Sequence, residues 1–115
     1  MEHSKVIVYA RFGTDVTQER IDTVKEKIDS FVNMIGSEVM DEHWELLGSG
    51  SSSKVIDDII SKCCQERWAI LTYDLKTLHE HHSGALSIID EGADIGVPIF
   101  FIEAKSVILT MMGRL

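Results

Sequence analysis

The five residues Val6-Ile7-Val8-Tyr9-Ala10 form an uninterrupted apolar run. A strand with no polar side chain on either face must be covered on both faces, which is the condition met inside a parallel sheet with helices above and below. The rest of the chain repeats that logic. Asp15 is placed to cap a helix in which Ile21, Val24, Ile28, Phe31 and Ile35 recur every three or four residues, with Gly36 closing it. Val39 to Leu47 reads as a second strand, followed by the segment Gly48 to Ser53 as a connector. Ile56, Ile59, Ile60 and Cys63 mark a second helix, and Trp68 to Tyr73 a third, buried strand. Leu86, Ile88, Ile89 and Ala93 mark a further helix ending near Gly96. Pro98 then opens the strand Ile99-Phe100-Phe101-Ile102, where its missing N–H costs least. Strand alternating with helix predicts an α/β fold, a mainly parallel central sheet flanked by helices in flavodoxin-like layering with right-handed crossovers.

A chain of 115 residues holds one packed domain and not two, so residues 1–115 are read as a single unit. Nineteen acidic residues against eleven basic ones give a formal charge of -8. Tight binding to a phosphate backbone draws on Lys and Arg contacts that release counterions, so unassisted tight DNA binding is disfavoured and a small local basic pocket is not. Cys63 and Cys64 are neighbours on one helical turn, pointing about 100° apart, and read as small hydrophobes in a reducing cytoplasm rather than as a disulfide, redox or metal pair. The start, Met-Glu-His-Ser-Lys, runs into an apolar stretch too short for a signal peptide or a membrane span. A cytoplasmic location without a membrane partner is therefore expected.

After the first strand comes Tyr9-Ala10-Arg11-Phe12-Gly13-Thr14-Asp15. This run resembles the catalytic loop of the serine recombinases, the resolvase and invertase family, which reads Tyr-Ala-Arg-Val-Ser-Thr-Asp. Four further segments are similar in the same order. Gly48-Ser49-Gly50 with its serines resembles a family loop, and Tyr73-Asp74-Leu75-Lys76-Thr77-Leu78-His79-Glu80 resembles Tyr-Lys-Leu-Asp-Arg-Leu-Ser-Arg. Gly96-Val97-Pro98 through Glu103-Ala104 resembles a strand ending in Glu-Ala, and Met112-Gly113-Arg114-Leu115 matches the Met-Gly-Arg-Leu that opens the family's dimerisation helix.

The resemblance implies cofactor-free and metal-free transesterification, in which a serine joins a DNA 5′ phosphate while arginines stabilise the transferring group. Residue by residue, Arg11 matches the first active-site arginine. Gly13 stands at the nucleophile position, and Lys76, Thr77 and Glu80 stand where the family has Asp, Arg and Arg. The arginine before the second helix falls near Ser53 or Lys54. Thr14 and Ser49 carry hydroxyls away from the nucleophile position, and a displacement of about 1 Å already costs on the order of a hundredfold. The DNA-binding region that follows the dimerisation helix in the family is absent from this sequence, which reads as a stand-alone form or as a piece of a longer protein.

Other features have plainer readings. His79 and His82, three apart, would share a helix face, but zinc needs three or four convergent ligands and the available additions, Asp74 and His43, have no diagnostic spacing. A solvated, polar helix start is expected there, and no metal. Arg11 is either a residual anion site or the partner of a carboxylate. The Gly48–Ser53 segment lacks the Lys-Ser/Thr ending of a phosphate-binding P-loop. Trp44 and Trp68 lack a surrounding basic cluster and read as core or interface anchors rather than base-stacking platforms.

Three function classes remain, in this order. The first is a catalytically inactive recombinase-like domain that acts by interaction, with a second copy or a related recombinase chain as partner and DNA bound only weakly or through that partner. The second is a recombination protein that still takes part in strand exchange or DNA binding. The third is a small α/β enzyme or ligand-binding domain reusing the crevice near Arg11. Val107, Ile108, Leu109, Met111, Met112 and Leu115 place six apolar side chains in the last ten residues, so Met111, Met112 and Leu115 are expected among the partner contacts.

Overall fold

The computed structural model describes residues 5–46, 54–79 and 81–103. Its elements are β1 (Lys5–Phe12), α1 (Gln18–Ile35), β2 (Glu38–Leu46), α2 (Lys54–Glu66), β3 (Ala69–Thr72), α3 (Leu75–Leu78), α4 (His82–Asp94) and β4 (Ile99–Phe101). All three strand pairings are parallel, and the strand order is β2-β1-β3-β4. The α/β fold with a parallel central sheet is thus as the apolar runs predict.

Alternation along β1 sorts the core into two layers. Val6, Val8, Ala10 and Phe12 pack with Ile21, Val24 and Ile28 of α1, whereas Ile7 and Tyr9 pack with Ile56, Ile59 and Ile60 of α2 and with Ala85 and Ile88 of α4. Every residue from Val6 to Phe12 is buried, which is why the run needs no polar face. β2 is an edge strand with a largely exposed pattern, and a register shift between Val6 and Ile7 marks its pairing with β1.

Gly36 closes α1 in the left-handed conformation at φ 70°, with its N–H donated to the Val32 carbonyl. The other end of the helix differs from the sequence reading. Thr17, not Asp15, is the cap: its Oγ1 accepts from the Arg20 N–H at 3.1 Å, and Asp15 lies exposed in the turn closed by Val16 N–H to Gly13 O. Two residues more of turn are needed before the chain can enter the helix, so the later hydroxyl wins. In α4, Ala93 is exposed and Gly92 is buried instead, because the turn toward β4 folds back onto the helix at Gly92.

Candidate functional site

In an open parallel sheet the chain leaves neighbouring strands in opposite directions where the strand order reverses, and a crevice opens outside their carboxyl ends. Here β2 follows β1 on one side and β3 lies on the other, so the reversal falls between β1 and β3. A cleft of about 290 Å³ occupies that place, lined by Arg11, Phe12 and Gly13 from the end of β1, Asp15, Val16, Thr17 and Arg20 from the start of α1, and Lys76 and Thr77 from α3. Arg11, Gly13, Lys76 and Thr77, four residues singled out by the sequence, are therefore brought together. Glu80 lies outside the described residues, as do Ser49, Ser53, Met111, Met112 and Leu115. Thr14 is exposed and Lys54 is the first residue of α2; neither lines the cleft.

Three cations line this cleft. Arg11 is only 3 % exposed, held on the buried strand next to Tyr9. Tyr9 donates from its hydroxyl to Glu45 Oε1 at 2.6 Å; burial first, and then that carboxylate, push the phenol pKa up, while Arg11 pulls it the other way. Tyr9 thus remains a neutral donor between β1 and β2. Lys76 is exposed at the mouth. Arg20 was missed by the sequence reading. A cation in the first turn of a helix opposes the helix dipole, which is the signal that it has another task. Its Nη2 reaches Asp74 Oδ2 at 3.1 Å, and its guanidinium lies 5.2 Å from the Tyr73 ring centroid.

Two hydroxyls line the cleft, and both are committed to helix caps. Thr17 caps α1 as described. Thr77, 2 % exposed, holds the capping box of α3: its N–H donates to Asp74 Oδ1 at 2.9 Å, and its Oγ1 accepts from the Asp74 N–H at 2.8 Å and meets the buried Thr72 hydroxyl at 3.0 Å. At Gly13 the backbone φ is not positive and an added Cβ would meet only Asp15 Oδ1, at 3.1 Å. A side chain is sterically admissible there, so the missing nucleophile is a matter of residue identity rather than of space. Among the described residues, then, the cleft is lined by the cations Arg11, Arg20 and Lys76 and by the carboxylate of Asp15, and carries no uncommitted hydroxyl or thiol.

The histidines do not share a helix face as the spacing suggested. His79 ends α3, His82 begins α4, and His81 between them caps α4 through its backbone. His79 Nδ1 accepts the His81 N–H at 3.0 Å. Asp74 is taken by Arg20 and the α3 cap, and His43 pairs with Asp41 at 3.1 Å on β2. Among the described residues no three His, Cys, Asp or Glu side chains converge on one point. Cys63 is buried and Cys64 exposed, both as free thiols, and burial pushes the Cys63 pKa up to about 11. Trp44 stacks with Phe12 at 6.3 Å and has Lys25 over its ring; Trp68 is half-buried under Lys62. Among the described residues no helix is long and apolar enough to cross a membrane.

No protein-family model matches the sequence, and no curated protein matches it. Solved structures do match in shape. The C-terminal catalytic domain of IS1535 TnpA, an IS607-like serine recombinase, superposes with a TM-score of 0.69 at 15% identity over 96% of this chain and 80% of that one. The corresponding domain of ISC1926 TnpA gives 0.67 at 14%, covering 96% and 79%. The N-terminal catalytic domain of TP901-1 integrase gives 0.66 at 18%, covering 96% and 92%. At such identities the likeness is one of architecture: this chain folds as the catalytic domains of serine recombinases and integrases fold.

Proposed function

We propose that this chain is a catalytically inactive serine-recombinase-like domain that acts in site-specific recombination by contacting another chain. The observation that carries the reading is the cleft between β1 and β3: it keeps the buried Arg11 but has Gly13 where the resemblance places the nucleophile, and both lining hydroxyls are engaged in caps. A phosphoryl-transfer centre needs an activated nucleophile beside its anion clamp, and only the clamp is partly represented. The partner is a related recombinase chain or a second copy, reached through the C-terminal segment with Met111, Met112 and Leu115. The acidic balance of the chain, -8, supports contact with protein in preference to DNA.

Fluorescence anisotropy with a labelled duplex at physiological salt tests the DNA side of this reading. The expected dissociation constant is in the nonspecific range of about 10⁻⁴ to 10⁻⁶ M or weaker. Nanomolar binding would reverse the ranking and favour a protein that takes part in strand exchange on DNA directly.

A further inference from the structure

β2 is the outermost strand on its side of the sheet, and among the described residues no strand lies beyond it. Its pairing with β1 runs in unbroken register from Asp41 to Leu46, after the irregularity that sets Met40 aside. One edge of that stretch is bonded to β1, and the other is a template for pairing. The polar side chains here bond largely within the strand itself. Asp41 accepts the Glu42 N–H at 2.9 Å and pairs with His43 at 3.1 Å, and the Trp44 indole N–H donates to Glu42 at 3.3 Å. These are the contacts of a strand with water on its outer side.

Beside this edge, a groove of about 370 Å³ is lined by residues of β2 and α2. Ile7, Val55 and Ile59 supply its apolar part, and Asp41 and Asp58, both exposed, bring carboxylates to it alongside His43 and Lys62. Lys62 lies over the Trp68 ring and reaches Glu66 at 3.4 Å, so its charge is turned along α2. An apolar bed ending in carboxylates fits a long cationic side chain, whose methylene stem packs while its head stays charged. Charge also selects between partners. β2 carries Glu38, Asp41, Glu42 and Glu45 and no Lys or Arg. A second copy pairing along this edge would set acids against acids, which destabilises a ladder. A segment bearing Lys or Arg meets the opposite sign.

We propose that the outer edge of β2, over Asp41–Leu46, takes up an extended cationic segment of a partner protein as an added strand, with a Lys or Arg of that segment in the β2–α2 groove. Main-chain bonds to the edge hold the segment, and the groove reads its charge. The surface shares no lining residue with the β1–β3 cleft, so the proposal does not depend on whether that cleft is catalytic. It also gives the chain a partner contact apart from the C-terminal segment.

Two capped octapeptides decide it, each titrated to about 1 mM into the isotope-labelled full chain at physiological salt while the amide resonances are followed. The first, (Lys-Thr)4, keeps every backbone N–H; the second, (Lys-Pro)4, has the same charge but lacks half of them. The first is expected to shift the amides of residues 41–46 and 55–62 selectively and to bind about tenfold or more tightly than the second. In the double variant Asp41→Lys, Asp58→Lys its affinity should fall about tenfold or more. Both positions are exposed, and unchanged resonances in β3 and α4 would verify that the variant folds. Equal binding of the two peptides overturns the proposal, because charge alone then suffices. Shifts centred elsewhere, an affinity unmoved in the double variant, or no binding of the first peptide overturn it as well.

Discussion

Replacing Thr77 by arginine, the residue type that the resemblance places there, is expected to destabilise the domain by roughly 2–4 kcal/mol rather than to rebuild a phosphate clamp. Thr77 is 2 % exposed, and its hydroxyl satisfies the Asp74 N–H while its own backbone N–H is in turn capped by Asp74. Arginine supplies no acceptor for that N–H, leaves the Thr72 hydroxyl facing a missing partner, and brings a third guanidinium into the cleft that Arg11 and Arg20 already line. Thr77→Ser keeps the hydroxyl and should stay within about 1 kcal/mol of the parent, the loss of one buried methyl. Urea unfolding monitored by circular dichroism measures both, with an unchanged slope marking a pure change in stability. An arginine variant as stable as the parent would show that α3 tolerates the family residue and that the cleft is a single step from a fuller arginine cluster.

The second large effect is expected at Gly92. Its position in α4 receives the N–H of Val97 on its carbonyl at 2.7 Å as the chain turns back toward β4. A Cβ at Gly92 would come within 2.6 Å of the Val97 carbonyl oxygen, a backbone atom that cannot rotate aside. Gly92→Ala is therefore expected to cost about 1–3 kcal/mol, although alanine is the better helix former by about 1 kcal/mol. The sign is the informative part. A stabilised Gly92→Ala variant would mean that the turn from α4 to β4 is looser than the hydrogen bond implies.

Much of the fold was legible because burial leaves a simple trace in sequence. The unbroken apolar run of β1 and the three- and four-residue spacing of α1, α2 and α4 each follow from which faces meet water. What was not legible is where local hydrogen bonding chooses between neighbours. Asp15 and Thr17 are both good caps by type, and only the length of the turn after Gly13 selects Thr17. The break between His79 and His82 arises from the four-residue helix α3, too short to show any periodicity.

The cleft divides in the same way. Arg11, Gly13, Lys76 and Thr77 were marked by resemblance and do meet. The resemblance gave no hint that Thr77 faces inward as a cap, nor that Arg20 joins the cleft through Asp74. Position in a motif sets which residues are neighbours; what each side chain does there depends on the hydrogen bonds its own chemistry permits.

The most direct measurement is of covalent capture. The full chain and its Gly13→Ser variant are each incubated with a nicked or otherwise irreversible recombination-site duplex, then denatured and weighed intact by mass spectrometry. The parent is expected to keep its own mass, because Gly13 has no side chain to hold a phosphodiester and the hydroxyls of Thr17 and Thr77 are bound in caps. Gly13→Ser should fold, since the backbone there accepts a side chain, and should also stay unmodified, because Thr77 leaves the arginine clamp incomplete. A parent chain that gains the mass of one DNA strand would contradict the account at its centre.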